Sequence, residues 1–279
     1  MISKITALAA DVDMTLAFKG EGLPQINYDA FIELHKRGVK LGLATGREVT
    51  DKLKAQARTW GLPFDFDFLV GMNGGMVYDL SDDSLWSMDP LSTDEMKAIL
   101  THMMPLVDKY KVSVNAEGLK NHNAMNIQGE LMEAAKRHGF DFVDKTDDVD
   151  GFCDTPAYKI LFRGEPENEA ELRAHFLEKF GEEYQIISTF PGTVEAMKKG
   201  ISKGQGLKRY AEKHNIPLSE IISFGDNEND NSLLEVSGWG VCLKDGSDGT
   251  KAVADAITDY DCEHGGFGHY IYDYCLDKM

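Results

Sequence analysis

The chain has no C-x-x-C pair, and its four cysteines, Cys153, Cys242, Cys262 and Cys275, lie far apart. They read as free thiols of a reducing compartment and not as a zinc site. No stretch approaches the ~18 consecutive apolar residues of a membrane span. Met1-Ile2-Ser3-Lys4 runs straight into an apolar segment, leaving no room for a charged leader and a cleavage site, so a soluble cytoplasmic protein is expected. Basic residues are scarce: 29 against 47 acidic ones give a net charge of −18. That balance repels nucleic acid and anionic membranes, and neither is expected as a partner. Internal repeats and low-complexity tracts are also missing, which sets solenoids and linkers aside.

What is present is enough apolar material for a sizeable core, 42% of 279 residues. The length exceeds one average domain and falls short of two large ones, so one core carrying an inserted unit is expected. The first segment reads strand, helix, strand, helix, strand: 5–12, 28–37, 40–44, 49–60 and 66–70. Such alternation predicts a parallel sheet with helices on its faces. Gly38 and Gly61-Leu62-Pro63 end the two helices.

After the turn Asn73-Gly74-Gly75 and a strand at 76–80 the texture changes. Helices at 93–110, 130–138 and 167–180 alternate with short strands at 112–115, 158–162 and 184–189, as in a separate α+β unit. Tyr158, Ile160 and Phe162 alternate with Lys159 and Leu161 as in a half-buried strand. The acidic stretch 144–154 reads as a solvated loop. From Thr193 the first texture returns, with strands at 194–197, 221–224 and 240–243 and helices at 203–214 and 229–236. The division is a discontinuous core, 1–83 and 191–279, interrupted by an α+β unit at 84–190.

Four clusters stand at the carboxyl ends of expected core strands, where ligands of open parallel sheets usually bind. They are Asp11 with Asp13, Thr45-Gly46-Arg47, Lys203, and Gly225-Asp226-Asn227-Glu228-Asn229-Asp230. Each has an ordinary reading: an aspartate pair or a threonine caps helices and turns, and a lysine in a first turn is solvated. Three acids and two asparagines after an apolar strand, however, make an electronegative pocket that is costly without a cation.

Phosphoryl transfer accounts for all four together. A carboxylate attacking phosphorus splits one difficult displacement into two easier steps, which makes Asp11 a candidate nucleophile. Because nucleophile and phosphate are both anionic, a hard cation such as Mg²⁺ must bridge them, with Asp226 completing the site. Asp13 suits the acid and base roles. The Thr45 hydroxyl and Lys203 ammonium suit the equatorial oxygens.

These residues resemble the motifs of the haloacid dehalogenase superfamily, close to Cof-like phosphatases with a type IIB cap. The first motif is matched by Asp11-Val12-Asp13-Met14-Thr15-Leu16, the second by Thr45-Gly46-Arg47, the third by Lys203, the fourth by Gly225 to Asp230. Gly71-Met72-Asn73-Gly74-Gly75 resembles the segment leading into the cap, and residues 258–266 the carboxy-terminal signature. The resemblance implies a Rossmann-like core with an inserted α+β cap that reads the leaving group. It implies Asp11 as nucleophile and metal ligand, and Asp13 as acid/base lending its carbonyl to the metal. It also implies Asp226 as a metal ligand, Asp230 as a further ligand or a support behind the ligands, Thr45, Gly46 and Lys203 at the phosphate, and Asn229 either at the phosphate or orienting Lys203. An acid at Asp13 favours phosphate chemistry over dehalogenation.

Two departures stand out: Met14 where the family has glycine, and Cys242-Leu243-Lys244-Asp245-Gly246 where it commonly carries Gly-Asn-Ala. The expected activity is Mg²⁺-dependent hydrolysis of a small phosphorylated metabolite, such as a sugar phosphate, by a monomer or small homo-oligomer. A sugar phosphomutase and a catalytically silent phosphate-binding protein stay open. A signalling receiver domain also clusters such residues, but the inserted block and the place of Asp11 on the first strand argue against it. Candidate readers of the leaving group in the inserted unit are His122, Asn123, Asn126, Lys159 and Arg163.

Overall fold

The structure, a computed structural model, describes residues 3–18, 22–118, 121–129, 131–132, 141–181, 183–188 and 191–276. It divides into two compact units, Met1–Ser87 with Ile201–Met279, and Met88–Gly200. In chain order the strands are β1 (Ala7–Ala10), β2 (Lys40–Ala44), β3 (Phe68–Gly71), β4 (Met76–Asp79), β5 (Ser84–Ser87), β6 (Ser113–Glu117) and β7 (Asn123–Met125). They continue with β8 (Val143–Asp144), β9 (Lys159–Arg163), β10 (Tyr184–Ser188), β11 (Thr193–Lys198), β12 (Ile221–Gly225), β13 (Trp239–Cys242) and β14 (Ala256–Ile257).

The first unit holds an eight-stranded sheet in the order β14-β13-β12-β1-β2-β3-β4-β5. Strands β14 to β3 run parallel, and β4 and β5 return antiparallel at one edge. Every residue of β1 is fully buried, as expected of an apolar run covered on both faces. The helix Gln25–Lys36 buries Asn27, Ala30, Phe31 and Leu34, a 3.6-residue stripe. It stops at Gly38, whose φ of 77° suits glycine. The helix Lys203–His214 is capped by the Ser202 hydroxyl, which accepts from the Gln205 N–H at 3.2 Å. Its Leu207, Tyr210 and Ala211 pack with Ala7, Ala9, Phe68 and Val70, and Tyr210 stacks on Phe68 at 4.0 Å. That packing fixes where the helix begins, and so where Lys203 sits.

The second unit holds a six-stranded sheet, β10-β11-β9-β6-β7-β8. One face packs on the helices Thr93–Tyr110 and Glu169–Phe180 through Ile99, Met103, Val107, Ile160, Phe162 and Phe176. The first helix starts at a capping box between Ser92 and Glu95.

Several elements differ from the sequence reading. The strand expected at 194–197 exists as β11, but it pairs antiparallel with β10 and β9 in the second unit. Periodicity finds a strand and is silent about its sheet. Conversely β5, placed by sequence at the start of the insertion, pairs with β4 on the edge of the first sheet. The helix expected at 49–60 is two short helices, Asp51–Lys54 and Gln56–Thr59, broken at Ala55 (φ −86°, ψ 6°). Nothing in the sequence marks that break. The acidic stretch 144–154 contains the short helix Val149–Phe152, capped by Asp148, with Phe152 fully buried. A cap and one aromatic anchor outweigh the repulsion. Strand β9 is buried on both faces, because Lys159 is paired at 3.1 Å with both Glu117 and Glu195. Of the helix expected at 130–138, residues 130 and 133–138 lie outside the described residues. Because β1 lies inside its sheet, the place of Asp11 on the first strand does not separate this fold from a receiver domain; the inserted unit does.

Candidate active site

Parallel strands deliver the residues that follow them to one edge of a sheet. The Asp11 N–H donates to the Phe224 carbonyl (3.0 Å), and the Thr45 N–H to the Val70 carbonyl (2.7 Å). Asp11, Thr45 and Asp226 therefore stand at the carboxyl ends of β1, β2 and β12. Lys203 is fully buried, unlike the solvated lysine its place in a first helical turn would suggest. Its Nζ donates to Asp11 Oδ1 and Asp230 Oδ1, both at 2.6 Å. The other Asp230 oxygen accepts from the N–H groups of Asp226 (2.9 Å) and Asn227 (3.2 Å). Asp230 thus folds the 226–230 loop and anchors Lys203 with the same carboxylate.

Three site residues were not assigned from sequence. Thr15, fully buried, donates through Oγ1 to Asp226 Oδ1 at 2.7 Å. Arg47 grips Asp13 with two parallel bonds, Nε to Oδ2 at 2.9 Å and NH2 to Oδ1 at 2.5 Å. Asn73 accepts at Oδ1 from Asn229 Nδ2 at 3.2 Å. Each belongs to a quoted motif, and that membership was the available signal, since only Thr15 stands beside an acidic pair in sequence. The bonds that orient Lys203 come from Asp11 and Asp230, whereas Asn229 donates to Asn73, which in turn lies against Gly46.

Burial raises Asp11 to about 7; Lys203 opposes that rise, and Asp230 and Asp13 add to it. Asp226 is raised well above the carboxylate range, first by burial, then by Asp230 and Asp11, against the Thr15 hydrogen bond. Burial works against the charge on Lys203, yet Asp11 and Asp230 outweigh it and hold the ammonium above its ordinary value. One buried cation faces three carboxylates. Oxygens of Asp11, Asp226 and Asp230 all lie within 4.8 Å of one another. Hard oxygen donors with excess negative charge suit a divalent cation such as Mg²⁺.

Both sequence departures are accommodated. Met14 adopts the left-handed conformation that favours glycine (φ 66°), its N–H donating to the Ala17 carbonyl at 3.0 Å. The strain, about 1 kcal/mol, leaves Asp11 and Asp13 at the sheet edge. The Cys242–Gly246 loop is tied to the site by backbone: Leu243 N–H donates to the Gly225 carbonyl (3.0 Å) and Ser247 N–H to the Asp226 carbonyl (2.8 Å). Cys242 is buried, which pushes its thiol up to about 12.

Among the candidate readers in the second unit, Asn123 and Asn126 serve the fold. Asn123 Nδ2 donates to the Gly151 and Phe152 carbonyls and to Asp154, and Asn126 Nδ2 to the Val112 carbonyl. Lys159 sits between Glu117 and Glu195, and Arg163 donates through Nε to Asn115 Oδ1 at 3.2 Å. No helix among the described residues is long and apolar enough to cross a membrane.

Residues 8–271 match the family described as haloacid dehalogenase-like hydrolase. The phosphatase YwpJ of Bacillus subtilis is 26% identical over 279 residues, spanning 92% of this chain and 96% of that protein. The 5-amino-6-(5-phospho-D-ribitylamino)uracil phosphatase YcsE of the same organism is 26% identical, spanning 94% and 92%. The solved structure of the HAD subclass IIB sugar phosphatase BT4131 superposes with a TM-score of 0.79 at 21% identity, covering 96% of this chain and 98% of that one.

Proposed function

The chain belongs to the haloacid dehalogenase-like hydrolases, and from that membership we propose that it is a Mg²⁺-dependent phosphatase acting on a small phosphorylated metabolite. The observation that carries this reading is the charge imbalance at the sheet edge, where oxygens of three carboxylates lie within 4.8 Å of one another and the buried Lys203 ammonium pairs with only two of them, Asp11 and Asp230. Asp11, Asp226 and Asp230, with the Asp13 carbonyl, would hold the cation. When bound, it would neutralise the meeting of carboxylate and phosphate.

Asp11 attacks phosphorus, and the bond to the leaving oxygen breaks as Asp13 gives that oxygen a proton. Asp13 then takes a proton from the water that attacks the phosphorylated Asp11, releasing inorganic phosphate and restoring the carboxylate. The Thr45 hydroxyl, the Gly46 N–H, Lys203 and Asn229 receive the phosphate oxygens. The second unit is the proposed source of substrate specificity, with Arg163 and His122 left as its candidate contacts, because Lys159 is buried between Glu117 and Glu195. The names of the relatives support a sugar phosphate or similar phosphomonoester. No nucleic acid or membrane partner is invoked, and the protein is assigned to the cytoplasm as a monomer or small homo-oligomer.

A panel of phosphorylated metabolites assayed with and without Mg²⁺ tests the reading. Phosphate release from one class of ester, lost on chelation, is expected. An isomeric ester as product would replace hydrolase by mutase, and silence across the panel, p-nitrophenyl phosphate included, would leave a binding protein.

A further inference from the structure

Directly after β3 the chain turns through Met72–Gly74 with three consecutive positive φ angles, 49°, 52° and 104°. Left-handed backbone is ordinary for Gly74 and unfavourable for Met72 and Asn73. Such conformations persist where the surroundings over-determine them, and they cluster at functional sites. Here the surroundings are specific. The Met72 N–H donates to the Arg47 carbonyl (2.8 Å) and the Asn73 N–H to the Thr45 carbonyl (3.1 Å), which ties the turn along the loop after β2. On its other side, a Cβ added to Gly74 would lie 1.9 Å from the Ser202 carbonyl oxygen. The turn's backbone therefore presses directly on the residue before Lys203.

Asn73 itself is 1% exposed. Its Oδ1 accepts from Asn229 Nδ2 at 3.2 Å and lies 3.3 Å from where a Cβ on Gly46 would stand. One buried carboxamide thus meets two of the segments assigned to the phosphate, while the backbone of its turn braces a third.

We propose that Asn73 is a positioning residue for the phosphate-binding side of the site, fixing the Asn229 side chain and the Thr45–Gly46 segment through its carboxamide. The left-handed turn is retained because it delivers that carboxamide. The inference rests on the phosphatase reading above. Asn73 touches no reacting atom. Because the phosphoryl group is held both before and during transfer, losing this support weakens phosphate binding more than it slows the chemistry.

Asn73→Gly separates this role from a merely structural one. Glycine accepts the left-handed backbone more readily than asparagine, so the turn survives while the carboxamide is deleted. With Mg²⁺ and p-nitrophenyl phosphate, KM and the inhibition constant of inorganic phosphate should rise about tenfold, as for loss of one hydrogen bond to a buried polar group. The kcat should stay within about threefold, and the melting temperature should hold. Asn73→Asp keeps the shape and the acceptor but sets a negative charge beside the phosphate; it should also weaken phosphate binding.

The side-chain amide signals of Asn229 in ¹⁵N–¹H spectra, assigned by their loss in Asn229→Ala, give a readout independent of turnover. They should move to the position of an unbonded amide in Asn73→Gly, and in Asn73→Asp keep a hydrogen-bonded position displaced by the added charge. Unmoved Asn229 signals, or unchanged KM and phosphate inhibition in Asn73→Gly, overturn the proposal. An inactive wild type counts against the phosphatase reading alone, since the amide signals and a phosphate titration followed in the same spectra still decide the role of Asn73.

Discussion

Arg47 holds Asp13 through a two-pronged guanidinium–carboxylate contact that joins positions 34 residues apart in sequence. Both side chains are about a third exposed, 29% and 34%, so the pair stands at the mouth of the site and not within the core. Its energetic worth is correspondingly small. Its geometric worth is larger, because a planar fork fixes where the carboxylate points. Replacing Arg47 with alanine should lower kcat about tenfold with little change in KM, and lysine should restore only part, since a point charge cannot reproduce the fork. In an Asp13→Asn background Arg47→Ala should do little more. Additive losses in that double-mutant cycle would show that Arg47 acts elsewhere.

Lys203 is the sole cation placed against Asp11 and Asp230 among the described ion pairs. Lys203→Met keeps the bulk of the side chain and strands two buried carboxylates. Removing one partner of such a cluster costs about 3–5 kcal/mol, and turnover should vanish with it. Urea denaturation measures this. A midpoint equal to that of the wild type would mean that the ammonium is not the counter-ion assigned here.

The raised carboxylates give stability and metal binding opposite responses to pH. Asp11 titrates near 7 in the folded chain and near 3.8 when unfolded, so between those values the folded state carries the extra proton. Stability of the metal-free protein should therefore fall as pH rises from about 4 to 7, by up to a few kcal/mol. Mg²⁺ must displace that proton, so its affinity should rise over the same interval. Thermal melts with and without Mg²⁺ at pH 5.5 and 8 read both effects. Equal stabilisation by Mg²⁺ at the two values would contradict the assignment of Asp11 to the metal.

Met14 occupies a left-handed position that glycine would take without penalty. Met14→Gly should leave the nucleophile in place and raise stability by about 0.5 to 1 kcal/mol, with the greater freedom of the unfolded chain offsetting part of the relief. A large loss of stability would reveal packing contacts of the methionine that matter more than its backbone strain.

The strand ends were legible because apolar runs stop at polar residues: Ala10 gives way to Asp11, Ala44 to Thr45, and Gly225 to Asp226. The order of elements followed from the same runs and from glycine stops such as Gly38. Burial was not legible. A lysine in a first helical turn looks solvated, and only the packing of its helix against β1 and β3 carries Lys203 inward. Pairings far apart in sequence, Arg47 with Asp13 and Asn73 with Asn229, depend on loops whose approach no periodicity encodes. Sheet membership was lost for a similar reason: the alternation of β11 suits either sheet, and β10 claims it.

The central claim is that phosphoryl transfer passes through Asp11. Turnover of Asp11→Asn with Mg²⁺, on whichever ester the wild type hydrolyses fastest, tests it most directly, with circular dichroism and melting temperature as controls on the fold. The amide is nearly isosteric and far less nucleophilic, so we expect a loss of at least about a thousandfold in kcat with the fold intact. A folded Asp11→Asn protein that turns over within about tenfold of the wild type would contradict the claim outright.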